Sequence, residues 1–327
     1  MAARCASISR SRISVFLARS TNGSDAGSVL RGRAIGTFFQ LSGSDEGAII
    51  TSAVAHASKG SRIISTMYPT FFRVGSFEVT SFGVMVALGA LIGLWVFGRE
   101  LARSGLPASA GDAAMAGVFG GLLGAKMLWV AEHLGQEPFR DLILSRGGMS
   151  WFGGLVGGIV TALLVMGRMR LPIVPTLAAS TPALAIGHAI GKVGCFAAGC
   201  CWGKECDLPW AVTFRNPDAN ALTGVPLRVS LHPAQLYEMG AEALLFGFLY
   251  WRFGRAHRPG TIIGLYLILS SVLRFGIEFT RFHEQALPFG LPFSITQWIA
   301  VVLAAAGGAI LWSQRSRAPK AIPSLAH

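Results

Sequence analysis

Over 327 residues the chain is 52% hydrophobic, only 13% charged and carries 41 glycines. A soluble domain carries about a quarter charged residues, so this balance excludes an ordinary soluble globular protein and points to a polytopic membrane protein. The net charge of +12 does not indicate nucleic acid as a partner, because the cations lie in short loops between apolar runs, without a basic stripe interleaved with aromatics.

Residues 1–66 differ in kind from the rest. They hold Arg4, Arg10, Arg12, Arg19, Arg31, Arg33, Lys59 and Arg62 against Asp25, Asp45 and Glu46, are rich in Ser, Ala and Gly, and lack an apolar run long enough to span. An acid-poor, Arg- and Ser-rich start resembles a transit peptide. The simpler reading is a disordered leader, or a start assigned too early, ahead of a membrane domain over 67–314 that opens at Met67. Residues 315–327 read as a basic cytoplasmic tail.

From Met67 the chain divides into seven apolar segments, near 76–98, 112–133, 149–167, 175–199, 234–252, 260–280 and 293–313. Each has roughly the length needed to cross a hydrocarbon core of about 30 Å. Backbone polar groups in lipid must be satisfied within the segment, so each is predicted to be helical. The fold class expected is therefore all-α, with about seven transmembrane helices.

One alternating set of loops holds Arg99 and Arg103, then Arg168 and Arg170, then Arg252, Arg255 and Arg258, and finally Arg315, Arg317 and Lys320. The other set is more acidic, with Glu132, Glu137 and Asp141, then Glu205, Asp207 and Asp218, then Glu284. The positive-inside rule places the first set, and the C-terminus, in the cytoplasm. The start of the first span, the end of the fourth and the long loop to His232 then face outward.

Ionisable groups at membrane depth are costly and mark functional sites. His188 and Lys192 are four residues apart, as are Arg274 and Glu278, so each pair shares a helix face. A structural ion pair is one reading of Arg274 and Glu278; the other is a site for an anion. Lys126 adds a cation in the second span. Arg grips a phosphate with two parallel hydrogen bonds and Lys as a point charge, so an outward cavity with these cations suits a lipid headgroup.

Cys195, Cys200, Cys201 and Cys206 cluster near the end of the fourth span. Small buried packing or one disulfide is the expectation, with thiol-redox chemistry as the rival. No metal is expected: paired C-x-x-C motifs are missing, and adjacent cysteines do not converge easily on one ion. Gly120-Gly121, Gly124, Gly153-Gly154 and Gly157-Gly158 read as close helix contacts. They follow no strand, which argues against a nucleotide loop.

Several motifs in fixed order carry a resemblance. They are Tyr68-Pro69, then Gly147-Gly148-Met149-Ser150 with Gly153-Gly154-Leu155, then Gly191 to Gly203, then His232-Pro-Ala-Gln-Leu-Tyr-Glu238, and last Gly264-Leu-Tyr-Leu with Leu273-Arg-Phe-Gly-Ile-Glu-Phe279. From Tyr68 to about Trp312 the chain resembles the prolipoprotein diacylglyceryl transferase family. The resemblance implies an enzyme of the bacterial inner membrane with its site toward the outer face. Such an enzyme moves a diacylglyceryl group from phosphatidylglycerol to the lipobox cysteine of a prolipoprotein signal peptide, with no cofactor, and releases glycerol phosphate.

By position, Arg274 and Glu278 match the family's Arg and Glu of the sixth span, Gly203 closes the signature, and His232, Gln235, Tyr237 and Glu238 match the motif entering the fifth. The chain departs from the family at Lys192 for an arginine, Cys195 for an asparagine, Cys200 for an acid, Phe82 for a tyrosine, and Trp151-Phe152 where a histidine is expected. The catalytic candidates are thus His188 as substitute base, Lys192, Arg274 and Glu278. The substrate-binding candidates are Lys126, Gly203, His232, Gln235, Tyr237 and Glu238. A non-catalytic relative that binds lipid or signal peptide, and a membrane thiol-redox protein, remain the alternatives.

Overall fold

The computed structural model describes residues 63–65, 69–74, 77–136, 138–144, 148–282 and 292–315. The leader up to 62, Tyr68, Gly147, the acidic loop positions Glu137 and Glu284, and the tail beyond Arg315 lie outside the described residues. A hairpin of β2 (Thr70–Val74) and β3 (Phe77–Thr80) leads into α1 (Ser81–Arg103). The first long helix therefore starts later than the apolar run does, because Thr80 caps it: its hydroxyl accepts the Gly83 N–H at 3.1 Å.

The other long helices are α2 (Ala110–Glu132), α4 (Trp151–Arg168), α5 (Ile173–Ala198), α7 (Ala234–Phe253), α8 (Pro259–Glu278) and α9 (Ile295–Arg315). Two short ones, α3 (Phe139–Leu144) and α6 (Pro217–Thr223), lie in loops. Among the described residues five helices, α1, α2, α5, α8 and α9, are long and apolar enough to cross a membrane. Helix α4 is a shorter apolar helix. Helix α7 has the length, but Gln235, Glu238 and Glu242 dilute its apolar character. The chain is a mostly helical, multi-pass membrane protein.

Helix α1 packs on α5, α5 on α7 and α8, α8 on α9, and α2 on α4. The core centres on Val96, Phe97, Leu101, Leu245, Leu249 and Ile262 against a run of buried alanines on α5, including Ala178, Ala179 and Ala185. Small side chains there let three helices approach α5 closely. Large apolar side chains such as Leu91, Trp95, Phe119, Leu123 and Leu244 point outward, which is the surface a bilayer requires.

A small β unit is built on the loop between α5 and α7. Strand β4 (Val212–Phe214) is central, pairing antiparallel with β5 (Ser230–Leu231) and parallel with β1 (Ile63–Ser65). Val212, Phe214, Ala219, Val225 and Leu231 form its own buried core beside Phe196 and Trp202. Strand β1 lies inside the segment read as leader.

Candidate active site

Three segments deliver the ionisable groups to one place. The last turns of α5 carry His188 and Lys192, the first turns of α7 carry Glu238 and Glu242, and the end of α8 carries Arg274 and Glu278, with Arg281 just beyond. Glu238 is the hub. Its Oε2 lies 2.9 Å from Lys192 Nζ and 3.8 Å from Arg281 Nη1, while its Oε1 lies 3.4 Å from His188 Nε2 and 4.0 Å from Arg274 Nε. Arg274 Nη1 meets Glu278 Oε2 at 2.6 Å, and Ser294 at the foot of α9 donates to Glu278 Oε1 at 2.7 Å.

Burial is distributed unequally across this cluster. The side chains of Glu238 and Glu278 are 5% and 2% exposed, against 12%, 22% and 19% for Lys192, Arg274 and Arg281. The carboxylates form the floor and the cations stand in front of it. A buried carboxylate costs several kcal/mol to desolvate, roughly, unless cations pair with it, so the floor holds the cations in register. An anion arriving from the exposed side meets three positive groups fixed in advance.

His188 bridges two acids, with Nε2 toward Glu238 and Nδ1 3.2 Å from Glu242 Oε1. A doubly protonated ring satisfies both contacts and a neutral ring only one. Its side chain is 42% exposed, so one edge faces the open side of the cluster. The second oxygen of Glu242 is buried with no hydrogen-bond partner among the described residues.

The remaining candidates separate. Gln235 is buried and donates to the Cys200 carbonyl at 2.7 Å, so it fixes the chain leaving α5. Gly203 is where two backbones touch: a Cβ there would sit 2.5 Å from the His232 carbonyl and 2.7 Å from that of Thr280. A side chain would push away the segment after α8 that presents Arg281. His232 and Tyr237 form a neighbouring polar group, with His232 Nδ1 3.4 Å from the Tyr237 hydroxyl, which accepts from Trp210 Nε1 at 2.7 Å. Burial, aided by the Lys204 charge, holds the His232 ring below the ordinary histidine pKa. Lys126 lies over the Trp129 ring at 4.7 Å on α2, which packs chiefly on α4.

Phe82 lies against Gly194, and Phe152 is exposed on the first turn of α4. Glu242, Arg281 and Ser294 were not among the sequence candidates. Glu242 follows Glu238 by four residues, a spacing that could have found it. Arg281 carried no such signal, since its place depends on the backbone bridge between Gly203 and Arg281.

The cysteines correct one expectation. The sulfurs of Cys195, Cys200 and Cys201 lie within 4.8 Å of one another, although adjacent cysteines were expected not to converge. Gly199 ends α5 in the left-handed region (φ 81°) and Cys201 is also left-handed (φ 62°). The two reversals fold the chain back so that both later thiols reach Cys195. Thr223 donates to the Gly199 carbonyl at 3.0 Å and Gln235 to that of Cys200, which pins the turn. No disulfide joins these three. Thiol contacts from Cys195 and Cys200, with Lys192 and Arg281 nearby, hold the Cys201 thiol well below the ordinary thiol range. Cys206 stands apart, buried, its N–H donating to the Ser230 carbonyl at 3.0 Å.

The profile of the family described as prolipoprotein diacylglyceryl transferase matches residues 69–313. Curated relatives named phosphatidylglycerol–prolipoprotein diacylglyceryl transferase show the same likeness. That of Methylobacillus flagellatus is 31% identical over 73% of this chain and 93% of its own length. That of Bordetella bronchiseptica is 30% identical over 74% and 93%, and that of Chromohalobacter salexigens 32% over 76% and 92%. The chain belongs to the prolipoprotein diacylglyceryl transferase family.

Proposed function

We propose that this chain transfers a diacylglyceryl group from phosphatidylglycerol to the lipobox cysteine thiol of a prolipoprotein signal peptide. The observation that carries the reading is the row of Lys192, Arg274 and Arg281 standing, partly exposed, over the buried Glu238. The relatives' names supply the two substrates. The headgroup phosphate sits before these cations, and Glu278, held by Ser294, keeps Arg274 in place. The thiol sulfur attacks the glycerol carbon that bears the phosphate. The carbon–oxygen bond breaks, its electron pair leaves with glycerol phosphate, and the cations stabilise that growing charge.

The thiol proton goes to His188 in this reading, since Phe152 stands where the family pattern has a histidine. The neutral ring donates Nδ1–H to Glu242, which orients it, and its unprotonated Nε2 turns from Glu238 to take the thiol proton. Gly203, Gln235, His232 and Tyr237 shape the loop side of the site, where the signal peptide enters. Lys126 serves as an outlying lipid contact.

The enzyme is placed in the bacterial inner membrane with seven spans, α4 and α7 included. Its C-terminus is cytoplasmic and its site faces outward, as the loop charges support. Expression in a bacterium depleted of its own diacylglyceryl transferase tests the reading. Restored growth with lipidated prolipoprotein is the expected result. A well-inserted protein that restores neither would overturn it.

A further inference from the structure

The Cys195, Cys200 and Cys201 thiols play no part in the transfer just described, yet their placement is closely determined. Cys195 is buried on the last turn of α5, while Cys200 and Cys201 are partly exposed, which leaves a route in from solvent. The turn that gathers them is held at two successive carbonyls by residues from elsewhere in the fold, Thr223 and Gln235. It also keeps a non-glycine residue, Cys201, at positive φ. Such a conformation costs of order 1–3 kcal/mol and persists where the surroundings impose it. The turn so held brings the three sulfurs within 4.8 Å of one another.

We propose that Cys195, Cys200 and Cys201 form a tris-thiolate site for a soft d10 cation, zinc being the ion tested. Thiolate sulfur selects such ions over magnesium or calcium. Zinc–sulfur bonds of about 2.3 Å at tetrahedral angles set the sulfurs about 3.8 Å apart. The trio, already within 4.8 Å, closes to that spacing by shifts of under about 1 Å per sulfur. Three thiolates on a divalent ion carry one net negative charge, and Lys192 and Arg281 stand close enough to Cys201 to offset it. With three protein ligands the fourth position stays open to water or a small anion. The site adjoins the cation row but does not depend on the transfer reading.

The test uses the full chain, reduced, stripped of metal and held in detergent micelles. Cobalt(II) added as a probe is expected to give a thiolate-to-metal charge-transfer band that saturates at one ion per chain, and zinc should abolish it. Cys195→Ser, Cys200→Ser and Cys201→Ser should each raise the apparent zinc Kd at least tenfold, and Cys206→Ser should leave it unchanged. X-ray absorption on the zinc-loaded wild type covers variants that fail to fold. Three sulfur scatterers at about 2.3 Å are expected. A shell with one sulfur or none, a band that survives Cys201→Ser, or a disulfide within the trio that forms while zinc is excluded would overturn the proposal. A protein inactive in transfer but binding zinc through these sulfurs would leave it standing.

Discussion

Helices α2 and α4 meet through glycine, whereas α5, α7 and α8 meet through charge. In the first pair Gly120, Gly124, Gly153 and Gly157 bring the two backbones so close that a methyl group at any of them would strike the facing helix. That contact draws chiefly on van der Waals packing, with the Ser150 N–H donating to the Ala125 carbonyl at 2.9 Å where α4 begins. In the second group Glu238 binds side chains from α5, from α8 and from the loop after α8. Apolar packing of equal volume would hold helices together at least as well as a buried ion cluster. The charged group therefore marks where the fold serves chemistry, and the glycine contact marks where it serves assembly.

Substitutions can break this contrast in order of expected effect. Glu238→Ala should be the most severe. It leaves Lys192, Arg274 and Arg281 facing one another without their shared acid, a loss of about 3–5 kcal/mol, and transfer should vanish with it. Thermal unfolding in micelles beside a lipidation assay measures both, and wild-type stability in this variant would refute the hub. Arg274→Ala is expected to lower kcat by roughly 100-fold or more while the protein still folds; retention of full turnover would remove Arg274 from headgroup binding.

His188→Gln should lower kcat by about 100-fold, the usual range for losing a general base. Glu242→Gln should give a smaller drop in kcat with KM unchanged. Equal effects on KM instead would mean the ring binds rather than accepts a proton. Gly124→Leu should act oppositely to the charge variants. It should cost about 1–3 kcal/mol through overpacking, seen as a lower unfolding temperature, while kcat per folded enzyme stays at the wild-type value. A drop in kcat there would show that the two regions are coupled.

The smallest effect should come from His257, in the loop between α7 and α8. Burial holds its ring below the ordinary value of 6.5, and the Arg252 and Arg103 charges add to this against the backbone contact with Arg255. A depressed histidine pKa means that the unfolded chain takes the proton more readily. Its contribution to stability is thus complete above about pH 6.5 and declines as pH falls through the lower, folded value. Unfolding temperatures measured from pH 7.5 to 5.5 should drop less in His257→Gln than in the wild type.

The class of the protein, its long helices and the pairing of Arg274 with Glu278 were legible in the linear chain. Each rests on local periodicity: apolar length sets a helix in lipid, and a four-residue spacing sets a shared face. His188 and Lys192 could be placed together for the same reason. Tertiary structure alone decided that both reach Glu238, that Arg281 completes the row, and that Gln235 and Gly203 set the backbone of neighbouring segments. These contacts join segments dozens of residues apart, and no periodicity encodes which helix faces which. The cysteines make the same point more sharply. Their spacing argued against convergence, because spacing takes no account of chain direction. Two left-handed residues, Gly199 and Cys201, turn the chain back on α5, and Thr223 and Gln235 from other parts of the fold hold it there.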